Sequence, residues 1–507
     1  MDWKDKLRGL LSGETKKVNP EIQNIEEKWL EQEERSTRPQ EGKAPVSEKH
    51  SFVQPKTEPK RYIGIGLDFG TSCTKVVIAL RIPRSAEGVP FDGLAPNDSP
   101  YLLPSKVWVD RNGRFALTPS GMGEWLKDTK VELMRHPWEP LANDLGLSIR
   151  AVDAVAAFIG LVLQCAQRWF LKEKAVLLGS NELVWELNVG LPARNYDEAT
   201  IRDAFRSAAI AGWELAQGRE IDLKLATLAV DRAGAGTTPQ GIHSDQIQVI
   251  PEVAAEVTGY SRSDQRRYGP HLLVDIGATT LDTCLFLLTD SGVQNRYAML
   301  AADVRSDLGA FELHRHRVNS LSRYAQSKLS AADAMPLIPE TVDDYIPAEI
   351  DLLNFDAEFQ EKCTVAAGKT SAAAKRKDPR GLTNPHTNSL GQLKSESMHH
   401  EIRVFVCGGG GRMKLYREAM DEAGRRAGPG GKQGQNMLPF VKVPGGLPFP
   451  ADLSAPKIPK QDYDRLAVAY GLSYSADDIG IFIPPSDISE LEKQKSVERI
   501  QPSKDDV

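Results

Sequence analysis

The sequence predicts an α/β protein with two related lobes, and three stretches support this fold class. Residues 61–80 read RYIGIGLDFGTSCTKVVIAL, in which an alternating apolar strand reaches an Asp-Phe-Gly turn and returns as a second apolar strand. Residues 271–288 read HLLVDIGATTLDTCLFLL and repeat this order. Residues 402–420 read IRVFVCGGGGRMKLYREAM, which is a strand, a glycine run and a helical pattern. Two similar hairpins in one chain indicate two related lobes.

The turn of the first hairpin carries groups that suit a phosphate. Gly70 lets the backbone approach a ligand closely, so that the N–H groups of the turn and the hydroxyls of Thr71 and Ser72 can surround phosphate oxygens. Asp68 stands at the end of the first strand, where a carboxylate can hold a magnesium ion through water. A hairpin turn without a ligand is the alternative for this stretch alone.

The second hairpin offers the same chemistry. Asp275 occupies the position of Asp68, and the turn continues as Gly277, Ala278, Thr279 and Thr280. Two turns of this kind indicate two lobes that bind one nucleotide between them. The run from Gly408 to Gly411 adds a strand-to-helix turn on which a flat or charged group can lie, although glycine runs also occur in plain loops.

Together with VIPEVAAEVTGY at 249–260, these stretches resemble the actin, sugar-kinase and heat-shock-chaperone ATPase superfamily. The four motifs follow the family's order over about residues 61–475, and they most resemble the nucleotide-binding domain of the seventy-kilodalton heat-shock chaperones. The resemblance implies a two-lobed actin-like ATPase fold with duplicated ribonuclease-H-like lobes. The chaperones continue into a β-rich peptide-binding domain, which we do not expect after Ser475 in this chain.

The resemblance also implies four catalytic residues. Asp68 and Asp275 organise the waters of the metal ion. Glu252 matches a glutamate that reaches this water network, and the alternative is an ordinary acidic residue in the first turn of a surface helix. Lys130, in DTKVELM, matches the catalytic lysine of the chaperones better than Lys127 does. A solvated surface lysine is the alternative.

The resemblance further implies how ATP or ADP lies with Mg²⁺. Residues 70–72 and 277–280 hold the β- and γ-phosphates, and the turn before a long helix brings Gly309 near them. The ribose and adenine lie on Gly408, Gly409, Gly410 and Arg412. Ala278 stands where the chaperones usually have glycine, so we expect hydrolysis to be slow.

The motifs divide the chain into segments. Residues 61–262 with 461–485 form the first lobe, and residues 263–460 form the second. Residues 1–60 combine many charges of both signs with few apolar residues, which predicts a disordered arm with short amphipathic helices. Residues 486–507 form a charged tail. The arm is a candidate contact for a protein partner that the sequence does not identify.

Helical periodicity predicts helices at 146–172, 196–216 and 462–474, and β periodicity predicts a strand at 184–192. Between Trp213 and Glu252 the chain is longer than in the chaperones. The stretch DRAGAGTTPQG in this region predicts a hairpin with a flexible tip.

Composition limits the classes of function. The net charge of −6 gives no reason to expect nucleic-acid binding. No uninterrupted apolar segment is long enough to predict a transmembrane span. The five cysteines form no CxxC pair, which favours a reducing compartment, and we expect a cytoplasmic protein.

Three functions fit these observations. The first is a chaperone-like ATPase that hydrolyses ATP slowly and uses the conformational change to regulate a separate partner. The second is an actin-like ATPase that forms filaments. The third is a small-molecule kinase of the same superfamily, which ranks last because the first lobe shows no sugar-binding signature.

Overall fold

The structure, a computed structural model, describes residues 60–484 except 98, 238–241, 291–293, 326–355, 378–400, 428–439 and 444–445. These residues belong to one compact unit, Glu58–Val507. The predicted arm, apart from Lys60, and the predicted tail lie outside the described residues, so the expectations for them stay predictions.

The described part of the chain is mixed α/β. Its strands are β1 (Lys60–Phe69), β2 (Cys73–Arg81), β3 (Arg84–Gly88), β4 (Leu103–Pro104), β5 (Val107–Asp110), β6 (Phe115–Ala116), β7 (Gly123–Leu126), β8 (Glu182–Leu191), β9 (Ile247–Pro251), β10 (Gly269–Ile276), β11 (Leu281–Asp290), β12 (Asn295–Arg305), β13 (Ile402–Cys407), β14 (Phe440–Lys442), β15 (Leu453–Ser454) and β16 (Ile481–Ile483).

Its helices are α1 (Thr129–Arg135), α2 (Ala151–Glu173), α3 (Ala175–Leu178), α4 (Ala199–Ala216), α5 (Leu223–Gly234), α6 (Glu252–Glu256), α7 (Thr258–Ser261), α8 (Ala310–Ala325), α9 (Ala357–Lys377), α10 (Lys414–Ala427), α11 (Asp464–Leu472) and α12 (Ala476–Ile479). Short 3₁₀ turns lie at Ala193–Asp197, Ser244–Gln246 and Lys460–Asp462.

These strands form two large mixed sheets and one small antiparallel sheet. The first sheet has the order β15-β3-β2-β1-β8-β9, with β4 paired to β2. The second has the order β14-β13-β10-β11-β12-β16, and the small one has the order β6-β5-β7. Each predicted hairpin is the antiparallel pair near the middle of a large sheet, β1 with β2 and β10 with β11. Both hairpins are therefore confirmed.

Each large sheet has its own hydrophobic core. In the first sheet Ile63, Ile65 and Leu67 are fully buried and belong to the core that α2 and α4 complete. In the second sheet Leu272 and Val274 are buried in a core that includes residues of α9 and α10. The alternating apolar pattern of the two hairpins thus buries one face of each sheet under helices.

Helix α2 is the most apolar helix of the first core. It is long and apolar enough to cross a membrane by length and composition. However, 61% of its most apolar window is buried inside the protein, and it packs against α4 and α5. This burial is typical of a core helix in a soluble protein.

Helix α11 packs closely against its neighbours. It lies against β1, β2 and α6. A Cβ atom added at Gly471 would stand 1.8 Å from the carbonyl oxygen of Ala255 in α6. Only glycine permits this approach of two helix backbones.

The segment between Trp213 and Glu252 contradicts the predicted hairpin, because it contains the helix α5. Asp222 caps this helix by accepting a hydrogen bond of 2.8 Å from the N–H of Leu225. Ala226, Ala229 and Val230 are buried on one helix face. The glycines that predicted a hairpin lie at and beyond the end of this helix.

Two short strands depart from the predicted lobe boundaries. β15 lies within residues 263–460 but pairs with β3 of the first sheet. β16 lies within residues 461–485 but pairs with β12 of the second sheet. The chain therefore passes between the two sheets more often than the motif order indicates.

Candidate functional site

A cleft of about 490 Å³ opens where the tips of the two hairpins meet. This volume lies within the range of small-molecule sites, about 300–1,000 Å³. The predicted site residues that line it are Asp68, Gly70, Thr71, Ser72, Lys130, Glu252, Asp275, Gly277, Ala278, Thr280, Gly408, Gly409, Gly410 and Arg412. Residues that are far apart in sequence are thus brought into one cavity.

Thr279 and Gly309 are the predicted site residues that do not line this cleft. Gly309 instead supports the second tip from behind, since a Cβ there would stand 2.3 Å from the carbonyl carbon of Thr279. The N–H of Phe311, in the first turn of α8, donates a hydrogen bond of 2.6 Å to the carbonyl of Ala278. The start of α8 therefore fixes the shape of the tip, which differs from the predicted contact of Gly309 with phosphate.

The two hairpins differ at equivalent positions. Across the first hairpin Asp68 pairs in register with Lys75, and the Nζ of Lys75 lies 2.9 Å from Oδ2 of Asp68. Across the second hairpin Asp275 pairs in register with Asp282. The first tip therefore balances its carboxylate with a cation, whereas the second places two acids side by side.

This difference appears in the pKa values. Burial, and then the charges of Glu252 and Asp68, raise the pKa of Asp275 to about 7, and the opposing effect of Lys75 is smaller than these together. Burial and the charge of Asp275 also raise the pKa of Asp282 well above its usual value. Burial lowers the pKa of Lys75, but the charge and hydrogen bond of Asp68 leave it raised overall. Without a bound cation, the two acids of the second tip therefore hold their protons to higher pH than ordinary carboxyl groups do.

Gly408 shapes the floor of the cleft beside Asp275. Strand β13 runs parallel to β10 and places Cys407 opposite Asp275. Gly408 has φ +78°, and a Cβ there would stand 2.1 Å from Oδ1 of Asp275. The N–H of Gly410 donates a hydrogen bond of 3.0 Å to the carbonyl of Ile276. The glycine run thus wraps the end of β10, and a larger residue at its start would displace the carboxylate.

Lys130 and Glu252 form a buried pair at the cleft wall. The Nζ of Lys130 lies 2.8 Å from Oε1 of Glu252, and their side chains are 6% and 17% exposed. Lys127, the other lysine of this region, is exposed. Lys130 is therefore not the solvated surface lysine of the alternative interpretation. Glu252 begins α6 directly after Pro251.

Five charged residues that line the cleft were not predicted from the sequence. They are Lys75, Glu256, Asp282, Asp464 and Arg465. Aligning the two hairpins on Asp68 and Asp275 would have found Lys75 and Asp282. Glu256 lies four residues after Glu252, a spacing that puts both on one helix face. Burial, and then the charge of Asp275, raise the pKa of Glu256 well above its usual value.

No protein-family model matches the chain, and no curated protein matches it. A function for the cleft therefore has to come from the chemistry of its own residues.

The acids of the second tip suit a hard cation. Oδ1 of Asp282 is buried and has no hydrogen-bond partner in the described part of the chain. A nearby divalent cation would favour the charged forms of Asp275 and Asp282, which burial disfavours. Carboxylate oxygens and water are the ligands that Mg²⁺ prefers. Among the described residues no group of three or more His, Cys, Asp or Glu side chains is arranged to hold a metal ion directly.

Arg412 closes the cleft at the end of the glycine run. Its Nη2 donates a hydrogen bond of 2.9 Å to Oδ1 of Asp464, and its Nε lies 3.1 Å from Oδ1 of Asp462. Burial raises the pKa of Asp464, and the charge of Arg412 opposes this rise. The pair therefore links the glycine run of the second sheet to the start of α11, which packs on the first sheet.

Proposed function

We propose that this chain is a two-lobed ATPase of the actin, sugar-kinase and heat-shock-chaperone superfamily. It binds ATP with Mg²⁺ in the cleft, hydrolyses the ATP slowly, and uses the resulting change of conformation to regulate a partner protein. The observation that carries the proposal is the convergence of two Asp-Xaa-Gly tips, from two different sheets, on one cleft. Matched groups on both sides favour a ligand that carries several phosphates.

The groups of the cleft support binding of a polyphosphate. The hydroxyls of Thr71, Ser72 and Thr280 are hydrogen-bond donors at the two tips. Lys75 and Lys130 line the same cleft and supply positive charge next to the acids. The β- and γ-phosphates would lie between the tips, where main-chain N–H groups add further donors.

The two tips together supply the groups for a metal. Asp275 and Asp68 would hold Mg²⁺ through its water ligands, and Asp282 lies beside them in register with Asp275. When bound, Mg²⁺ neutralises charge on the phosphates and so lowers the barrier to phosphoryl transfer.

The Lys130–Glu252 pair supports the hydrolytic step. Phosphoryl transfer to water requires a water molecule held in line with the leaving group and stabilisation of the charge that develops. Glu252 accepts a hydrogen bond from this water, and Lys130 keeps the carboxylate of Glu252 in place. The methyl group of Ala278 narrows the space beside the γ-phosphate, which supports a slow rate.

The output of this ATPase is a change in the relation of the two sheets. The γ-phosphate is the group that both tips share, so its loss removes the link between them. Helices α11 and α6 meet tightly at Gly471 and both pack on the first sheet, so they would move together with that sheet. A separate partner protein in the cytoplasm responds to this change of conformation.

Calorimetric titration with ATP, in the presence and absence of Mg²⁺, tests the proposal. We expect saturable binding that Mg²⁺ strengthens. The Asp68→Asn variant should lose most of the Mg²⁺ dependence, and Asp203→Asn, an exposed residue of α4, should bind as the wild type does. If neither ATP nor ADP binds with Mg²⁺ present, the proposal fails.

A further inference from the structure

A second cavity lies behind Arg412. Its volume is about 270 Å³, and Arg412 and Asp464 line both this cavity and the cleft. Its other walls include Val404, Val406 and Leu447. The pair of Arg412 and Asp464 therefore forms part of the partition between the two spaces.

The side chain of Arg412 borders both spaces of this partition. Its side chain is 35% exposed, and the preceding residues are the glycines of the run 408–411. An unrestrained arginine in this place would sample many rotamers, and the second cavity would accept some of them. Two carboxylates oppose this motion: that of Asp464 accepts a hydrogen bond from Nη2, and that of Asp462 lies 3.1 Å from Nε as an ion pair without a hydrogen bond.

The two carboxylates differ in position. Asp464 lines the cleft and would lie close to a bound nucleotide. Asp462 lines neither the cleft nor the second cavity, and it ends the 3₁₀ turn Lys460–Asp462 before α11. Asp462 can therefore act on the cleft through Arg412, and its charge also reaches Asp464, whose pKa it raises.

We propose that Asp462 is a positioning residue that holds the guanidinium plane of Arg412 toward the cleft as a platform for the ribose and base of the nucleotide. The inference rests on the proposed function. Ion pairing uses the edge of a guanidinium group, which leaves its face available to stack on a flat ring. A side chain that is already oriented loses less entropy when the ligand binds.

Two parts of the ligand can be tested separately. ATP would contact both the hairpin tips and the Arg412 platform, whereas inorganic tripolyphosphate would contact the tips alone. Asp462→Asn should weaken binding of ATP about three- to fivefold, a size typical of a partly exposed ion pair. It should leave binding of tripolyphosphate unchanged, and Asp462→Glu should restore part of the ATP affinity.

Equilibrium dialysis with labelled ATP, and competition by tripolyphosphate, measure both affinities in the full-length protein with Mg²⁺. Asp478→Asn, which alters the separate pair of Asp478 with Arg262, serves as the matched control and should change neither affinity. In the Arg412→Ala background, Asp462→Asn should have no further effect on ATP binding.

Each result decides the proposal. A selective loss of ATP affinity in Asp462→Asn, absent in the Arg412→Ala background, supports it. An unchanged ATP affinity overturns it, and so does an equal loss for ATP and tripolyphosphate, which would indicate a general structural role. If the wild-type protein binds neither compound, the proposed function fails and this inference fails with it. If it binds both equally, the ATPase site can stand, but the platform does not exist.

Discussion

Lys130 donates a hydrogen bond of 2.8 Å to Oε1 of Glu252, although 122 residues separate them in sequence. Lys130 comes from the short helix α1, and Glu252 begins α6. Both side chains are largely withdrawn from solvent, and both line the cleft. Removing either partner of a buried ion pair destabilises the protein, because the remaining charge is then left buried without a counter-charge.

Replacing Lys130 tests its place in hydrolysis. In Lys130→Met, Glu252 loses the cation that fixes its carboxylate, so we expect ATP turnover to fall about 100-fold with a smaller change in KM. Steady-state kinetics of phosphate release measure both quantities. Lys127→Met changes the exposed lysine three positions earlier and should leave turnover as it is. Equal losses in the two variants would contradict a specific role for Lys130.

Asp275 gives a second test of the site. Asp275→Asn removes a carboxylate from the tip that carries the acids, so we expect weaker Mg²⁺ dependence and turnover at least about 10-fold lower. The measurement is the rate of ATP hydrolysis over a range of Mg²⁺ concentrations. Turnover like that of the wild type would contradict the assignment of the cleft.

The raised pKa of Asp275 also predicts how the stability of the metal-free protein depends on pH. The pKa of Asp275 is raised to about 7 in the folded state, above the ordinary 3.8, so the folded protein binds this proton more tightly than the unfolded chain does. The contribution of Asp275 to the free energy of unfolding therefore falls as pH rises from about 4 to about 7, and it is least favourable above pH 7.

Asp275→Asn removes this penalty. We expect the metal-free variant to be more stable than the wild type by about 1–3 kcal/mol at pH 8, and by less at pH 5. Urea unfolding at the two pH values measures the difference. Asp203→Asn, on the exposed face of α4, should show no such pH-dependent gain. A variant less stable than the wild type at pH 8 would contradict the raised pKa.

The sequence predicted the hairpins and most of the cleft because both depend on local patterns. The alternation of Ile63, Ile65 and Leu67 predicts a strand, and the Asp and Gly residues that follow it predict a turn. Lys75 and Asp282 were not predicted, because their roles depend on register across a hairpin rather than on a motif. The pairing of Arg412 with Asp462 was not predicted either, because it joins distant segments through tertiary packing.

At helix α5 the sequence predicted the wrong element. The glycines of DRAGAGTTPQG predicted a turn, but the preceding residues are helix formers whose buried face packs on α2 and α4. Turn-forming residues alone do not reveal such burial, because it depends on tertiary packing. The short strands β15 and β16 could not be assigned to a sheet from sequence, because two or three residues carry no usable period.

Ala278 tests why hydrolysis should be slow. The residue lines the cleft, and its methyl group stands at the tip where phosphate would approach. Ala278→Gly removes the methyl group, so we expect turnover to rise about two- to fivefold, which corresponds to less than about 1 kcal/mol in the barrier. Single-turnover kinetics separate this chemical step from product release. A fall in turnover would show that the methyl group positions the tip instead.

Gly471 tests the contact between α11 and α6. A Cβ at this position would collide with the carbonyl of Ala255, so Gly471→Ala should lower the free energy of unfolding by about 1–3 kcal/mol or more. Gly368 lies within α9 with no atom near its added Cβ, so Gly368→Ala should instead stabilise the protein by about 0.5–1 kcal/mol. Denaturant unfolding measures both changes. Stabilisation by Gly471→Ala would contradict the close approach of the two helices.

Phosphate release from the purified protein with ATP and Mg²⁺, followed over a range of protein concentrations, tests whether the cleft is an ATPase site. We expect slow, Mg²⁺-dependent release at a rate proportional to protein concentration. A rate per molecule that rises above a threshold concentration would indicate assembly into filaments and contradict the role of a monomeric switch. No release at any concentration, together with no binding of ATP, would contradict the assignment of the cleft as an ATPase site.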